Sequence, residues 1–161
     1  MAEGYRNKPT VIVGEVGLHC PYEVSGSEVA PGTESGIIDT IEGDAQVLFE
    51  TTTVPAILEL GFGVEIMLSE GSDLTGAQIV VRHPPMGESG VTEQRWYPNL
   101  SHDDFTLSLY RFDYNYEMLT GPWTISLEQD GQTHFIAEFD VIPAPAGMTL
   151  ESLCSGEGLV S

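Results

Sequence analysis

Basic residues are scarce in this chain. Its 161 residues include five Lys or Arg against 25 Asp or Glu, a formal net charge of −20. A phosphate backbone would be repelled, so nucleic acid is not an expected partner. An anionic membrane surface is disfavoured for the same reason. No apolar run approaches the roughly 20 residues of a membrane-spanning helix, and a soluble chain is expected. Met1 is followed by Ala-Glu-Gly-Tyr-Arg rather than by the apolar stretch of a signal peptide. The chain as it stands therefore reads as cytoplasmic, or else as a mature periplasmic or secreted form with a start Met restored.

Cysteine is scarcer still, with only Cys20 and Cys154, near opposite ends. In an oxidising compartment they are candidates for a disulfide closing a long loop, worth about 4–5 kcal/mol in the chain-entropy account. In a reducing one they are two unrelated thiols. Signatures of common chemistries are missing too. The chain has no G-x-x-x-x-G-K phosphate loop, no H-E-x-x-H, no C-x-x-C, no EF-hand loop and no G-x-S-x-G elbow. No cofactor and no metal site are expected, and an enzyme is the least favoured class.

What the chain does hold is short strands and turns. Eighteen glycines and ten prolines, with 41% hydrophobic residues, suit many strands joined by turns better than a helical bundle. Residues 1–9 read as a loose lead-in. Strands are expected over Thr10–Leu18, Ile37–Ile41 and Gln46–Thr53, with Cys20–Thr33 turn-rich and Pro55 limiting the third. Phe62, Val64, Ile66 and Leu68 alternate with Gly63, Glu65 and Met67 in the next strand. Ala77, Ile79, Val81 and His83 alternate in another, which stops before Pro84-Pro85. A polar connection over 84–103 holds a short strand near Gln94–Tyr97, and Phe105–Tyr116 is the longest strand candidate. The Pro-, Gly- and Ser-rich segment 143–161 reads as a tail with one helical turn around Thr149–Leu153.

The last hairpin is the clearest element. Trp123, Ile125 and Leu127 alternate with polar residues, and Phe135, Ala137, Phe139 and Val141 do so after Asp130-Gly131. A two-residue Asp-Gly loop would pair Gln129 with Gln132 and set Phe135 and Phe139 on the face opposite Trp123. A three-residue loop pairing Glu128 with Gln132 puts all the large apolar groups on one face, with Gly131 left-handed at a G1 bulge. Burial should select that register. Seven or eight such strands with little helix define an all-β chain, an immunoglobulin- or fibronectin-like antiparallel β-sandwich spanning residues 10–142 as one domain.

Four stretches carry a resemblance to a known family: EVGLHCP (15–21), TTTVPAILELGFGVEIML (51–68), GAQIVVRHPPM (76–86) and GPWTISLEQDGQTHFIAEFDV (121–141). Together they resemble the bacterial domain-of-unknown-function family 3859 over roughly residues 14–142. The resemblance implies an immunoglobulin-like sandwich with no assigned activity. It brings no catalytic or ligand residues to carry over.

Candidate site residues are few. Arg82 and His83 stand out in so acidic a chain: Arg82 is either an anchor for a carboxylate ligand or, as expected here, a counter-charge to Glu65 or Glu138. Tyr110, Phe112, Tyr114 and Tyr116 form an aromatic stripe at strand spacing, and Phe105, Leu107 and Leu109 occupy the other parity. A bulge near Leu109-Tyr110 would make the stripe core. Without one it would be an outer platform for a sugar or a protein. Ser101-His102-Asp103-Asp104 is the densest cluster of reactive types, but adjacent residues do not converge as a nucleophile, base and orienter must. The expectation is a non-catalytic binding module for a protein or glycan partner. A self-associating homodimer is the alternative, and an enzyme with a loop-built site the weakest reading.

Overall fold

The computed structural model describes residues 4–20, 24–29, 37–41 and 49–154. Parts of the expected turn-rich segment, of the Gln46–Thr53 strand and of the tail lie outside the described residues. Two β-sheets face one another across an apolar core. The first holds β1 (Tyr5–Asn7), β6 (Thr53–Ala56), β8 (Gln78–Met86), β9 (Val91–Trp96), β11 (Gly121–Gln129) and β12 (Gln132–Pro143), in the order β1-β12-β11-β8-β9 with β6 also on β12. The second runs β10-β7-β2-β5, from β2 (Val11–His19), β5 (Phe49–Glu50), β7 (Gly61–Leu68) and β10 (Thr106–Arg111). A separate hairpin joins β3 (Val24–Val29) to β4 (Ile37–Ile41), so part of the segment expected as turns is strand.

Period-2 alternation explains the core. Phe62, Val64 and Ile66 from β7 meet Ile79 and Val81 from β8 and Trp123, Ile125 and Leu127 from β11, all fully buried. Phe62 sits at the centre, with its ring within 6.1 Å of those of Tyr110, Phe112, Trp123 and Phe139. Such tilted and edge-on contacts add to the burial itself.

The final hairpin corrects the expected turn. Gln129 pairs with Gln132 across a two-residue loop, and Asp130 and Gly131 both have positive φ, 49° and 79°. That is the mirror-image turn Asp-Gly favours. The extra residue needed to bring the apolar groups to one face lies further along. The register shifts between Leu127 and Glu128, which leaves His134 bulged and pairs Leu127 with Phe135 and Trp123 with Phe139. The bulged backbone is used: the His134 carbonyl accepts the Lys8 N–H at 2.8 Å.

Three more expectations change. The lead-in over 1–9 is not loose throughout, because Tyr5–Asn7 pairs antiparallel with Asn7 opposite Phe135. Pro55 does not limit its strand, since β6 adds in parallel to the outer edge of β12, where a missing N–H donor is tolerated. Strand β8 continues through Pro84-Pro85, but its ladder with β9 shifts between Arg82 and Met86 around them. Within the described part of the tail, helix α1 (Leu150–Cys154) buries Leu153, and Cys154 is bonded to Cys20.

Strand β10 ends at Arg111, short of the expected Tyr116, and pairs with β7 without a bulge. Its even residues face the core, opposite Phe62 and Val64, so the stripe divides. Tyr110 and Phe112 are buried, while Tyr114 and Tyr116 lie beyond the strand and are 47% and 41% exposed. Leu107 and Leu109 turn to the outer face, where Gly63 leaves room for Leu109. A Cβ on Gly63 would stand 2.0 Å from the Ser108 carbonyl oxygen.

Candidate functional site

Between β10 and β11 the chain makes a turn of 3-10 helix over Asn115–Glu117. Glu117 points inward, and its carboxylate gathers the turn. Oε1 accepts the N–H groups of Asp113 and Tyr114 at 2.8 and 2.9 Å, and Oε2 accepts the Tyr110 hydroxyl at 2.5 Å. The Gln94 amide donates to the Tyr110 oxygen at 3.1 Å and to His83 Nε2 at 2.9 Å. His83 then donates from Nδ1 to the Pro84 carbonyl at 2.8 Å, which makes the ring the neutral Nδ1–H tautomer in this network. Four polar side chains thus form one connected path through the core, joining β8 and β9 of one sheet to β10 of the other.

The path is dry: His83, Gln94, Tyr110 and Glu117 are all buried. Burial pushes the Tyr110 hydroxyl far above its ordinary range, with the neighbouring Glu117 charge adding to it. Burial also raises Glu117, although the bonds from Tyr110, Asp113 and Tyr114 oppose it. A buried polar group without a partner is costly, and this connected path supplies partners along its length. Trp123 packs on the His83 ring at 4.7 Å between centroids, and its indole N–H donates to the Leu119 carbonyl at 2.8 Å. Residues 113–119 are therefore tied to the core at Glu117 and at Leu119. On their outer side Tyr114 and Tyr116 stack face to face, 5.4 Å between centroids and 8° between planes.

The other candidates take structural places. Arg82 is a counter-charge, but its partners are Glu128 at 2.6 Å and Glu93 at 3.1 Å rather than Glu65 or Glu138. Together with Arg95, which pairs with Glu93 at 2.7 Å, it roofs the buried Ser126 and Val80 on the outer face of the first sheet. The hydroxyl of Ser101 accepts the N–H groups of Asp103 and Asp104, and His102 Nε2 contacts the Ser72 carbonyl at 2.7 Å. These residues close a loop and do not converge on one point. An open groove of about 340 Å³ lies there, lined by Asp73, Tyr97, Leu100 and His102 among others. Asp73 in it is occupied by the Thr75 hydroxyl and N–H, which hold its carboxyl low. Among the described residues no three His, Cys, Asp or Glu are grouped to hold a metal. No helix among them is long and apolar enough to cross a membrane.

Structure thus brings together His83 and Tyr110 through Gln94, which sequence reasoning passed over, and adds Glu117. Nothing local marks either residue. Gln94 sits in a charged strand and Glu117 in a polar turn, so only the fold reveals that both are buried.

The paired sheets, the aromatic centre and the internal polar path define an immunoglobulin-like β-sandwich. An immunoglobulin-like protein from Pseudomonas aeruginosa, known from its crystal structure, shares the fold. It has 20% sequence identity and a TM-score of 0.54, over 86% of this chain and 96% of that one. The chain belongs to the family described as domain of unknown function 3859, whose profile matches residues 7–141. No curated protein matches it.

Proposed function

We propose that this sandwich is a non-catalytic binding module whose contact surface is the turn carrying Tyr114 and Tyr116. The observation that carries the reading is the contrast within one segment. Glu117 and Tyr110 are buried and hydrogen-bonded to one another, whereas Tyr114 and Tyr116 are stacked and open to solvent. Aromatic side chains held in place by a rigid support lose little entropy on binding, so such a pair suits a protein or glycan partner. The groups best suited to acid–base chemistry, His83 and Glu117, are enclosed in the core. The Cys20–Cys154 bridge fits an oxidising compartment and hence an exported protein.

The test has two arms. Isotope-labelled protein is titrated with panels of oligosaccharides and peptides, and the Tyr114 and Tyr116 ring resonances are followed. Binding that shifts both and disappears in Tyr114→Ala and Tyr116→Ala supports the reading. The same protein is screened against esterase, phosphatase, glycosidase and protease substrates. Turnover abolished by replacing one acidic or histidine residue, with the fold intact, overturns it. The exposed Phe105 beside the half-buried Leu107 and Leu109 on the outer face of the second sheet favours a second reading, a two-fold homodimer. Sedimentation of the wild-type chain at increasing concentration tests that reading, and a monomer throughout rejects it.

A further inference from the structure

We infer that the partner received by the Tyr114–Tyr116 turn is a basic polypeptide, bound through an arginine side chain laid on the tyrosine pair. The inference rests on the binding-module reading and names the chemistry of its ligand. Three observations carry it. The first is the stack itself: the rings lie within 8° of parallel, each turning one face away from the other, and each tyrosine keeps more than 40% of its area open. The face of an aromatic ring is the negative end of its quadrupole and attracts a cation placed over it. Guanidinium is planar and weakly hydrated, so it stacks where an ammonium would not.

The second observation is the local charge. Charges beyond about one Debye length, roughly 8 Å at physiological salt, are largely screened, so acids near the turn matter most. Asp113 adjoins Tyr114 in the chain, and the Glu117 carboxylate lies beneath the turn, bonded to the Tyr114 N–H. Asp113 is engaged by Arg111 at 2.7 Å, while the polar contacts of Glu117 are N–H and O–H donors of the protein.

The third is the balance of the whole surface. Of five cationic side chains, Arg82, Arg95 and Arg111 already take part in ion pairs, against 25 acidic residues in all. At low salt, where screening is weak, the field of that excess draws in a cationic partner and repels an anionic one. A neutral glycan would use the same rings but would gain nothing from that field, which is why the observations favour the polypeptide.

The experiment is calorimetric titration of the intact, oxidised chain with a short oligo-arginine peptide, at low and at physiological salt. A neutral oligosaccharide panel runs alongside. The variants are Tyr114→Ala, Tyr116→Ala and the double Tyr114→Phe/Tyr116→Phe, each checked for an unchanged thermal midpoint. The expected result is binding that weakens with salt and drops roughly three- to thirty-fold in each Ala variant, while the Phe variant keeps it. Oligo-arginine binding equal in wild type and Ala variants means the field acts without the rings, and it overturns the inference. Neutral sugars that bind only when the tyrosines are present, with oligo-arginine silent, also overturn it and leave the contact surface standing. If no probe distinguishes wild type from the Ala variants, the inference and the binding-module reading fail together.

Discussion

Replacing Trp123 by Ala removes the largest side chain in the core from a place where both sheets meet. The indole is fully buried and packs against four rings, those of Phe62, Tyr110, Phe112 and His83, with centroids 4.7 to 5.8 Å away. Lost transfer energy and the cavity left behind together cost about 3–5 kcal/mol for such a truncation. The Leu119 carbonyl also loses the indole N–H, and that part-buried bond adds about 1 kcal/mol. Trp123→Phe separates the two effects. It keeps most of the ring contact but removes the donor, so its cost should fall near the smaller figure. Urea unfolding of the three proteins is the assay, with far-UV circular dichroism to show that each stays β-rich. With a slope of about 1–3 kcal/mol per molar, the Ala midpoint should fall by about 2 M. An Ala variant within about 1 kcal/mol of wild type would refute the central placement of Trp123. A Phe variant as unstable as Ala would place the cost in the hydrogen bond rather than in the packing.

Gly63→Ala should cost more than about 3 kcal/mol, because its Cβ would meet backbone atoms of Ser108 and Leu109 at 2.0 and 2.6 Å. Gly71→Ala, with φ of 82° but open space around it, should cost only about 1 kcal/mol; equal costs by denaturant titration would deny the close approach of β7 and β10. Removing the bridge with Cys20→Ser/Cys154→Ser should lower stability by about 5 kcal/mol, the chain-entropy figure for so long a loop. An unchanged unfolding midpoint in that variant would show that the bridge adds no stability in solution. His19 is buried, and desolvation lowers its pKa from 6.5 to about 4. Below pH 6.5 the unfolded chain takes a proton that the folded one refuses, so this contribution to stability is present above 6.5 and lost toward pH 4. Glu128, held low by its bond to Arg82, acts in the same direction as acid is added. Glu117, raised by burial, acts oppositely, its contribution being lost as pH rises through its folded pKa. Histidine NMR should find the His19 ring titrating near 4, and a midpoint near 6.5 would contradict its burial.

Much of this architecture was legible in one dimension. The alternation of Trp123, Ile125 and Leu127, and of Phe62, Val64 and Ile66, carries strand and inward face together, because side chains on a strand point to opposite sides in turn. Asp130-Gly131 by itself favours the two-residue turn, because two successive positive φ values suit few other pairs, but burial of the apolar groups pointed to a three-residue loop that the structure does not have. Where the extra residue falls was not legible. His134 bulges in a fold where the Lys8 N–H meets its carbonyl, a contact between residues more than a hundred positions apart.

Parity in β10 was equally open from the sequence, since Phe105, Leu107 and Leu109 are as apolar as Tyr110 and Phe112. Tertiary structure decided it through pairing with β7, whose inward residues are Phe62 and Val64 and whose Gly63 leaves space for Leu109 on the other side. The same holds for charge. Arg82 was recognisable as a counter-charge, but Glu93 and Glu128 became its partners through the order β11-β8-β9, which no local pattern encodes. Gln94 and Glu117 show the limit most plainly. A polar residue in a polar neighbourhood signals solvent, and only packing the two sheets together turns it into a buried hydrogen-bonding group. Local sequence determines periodicity and turn chemistry, which are short-range steric preferences. Register, ion-pair partners and buried polar contacts are set by groups distant in the chain, and they exist only once the sandwich has closed.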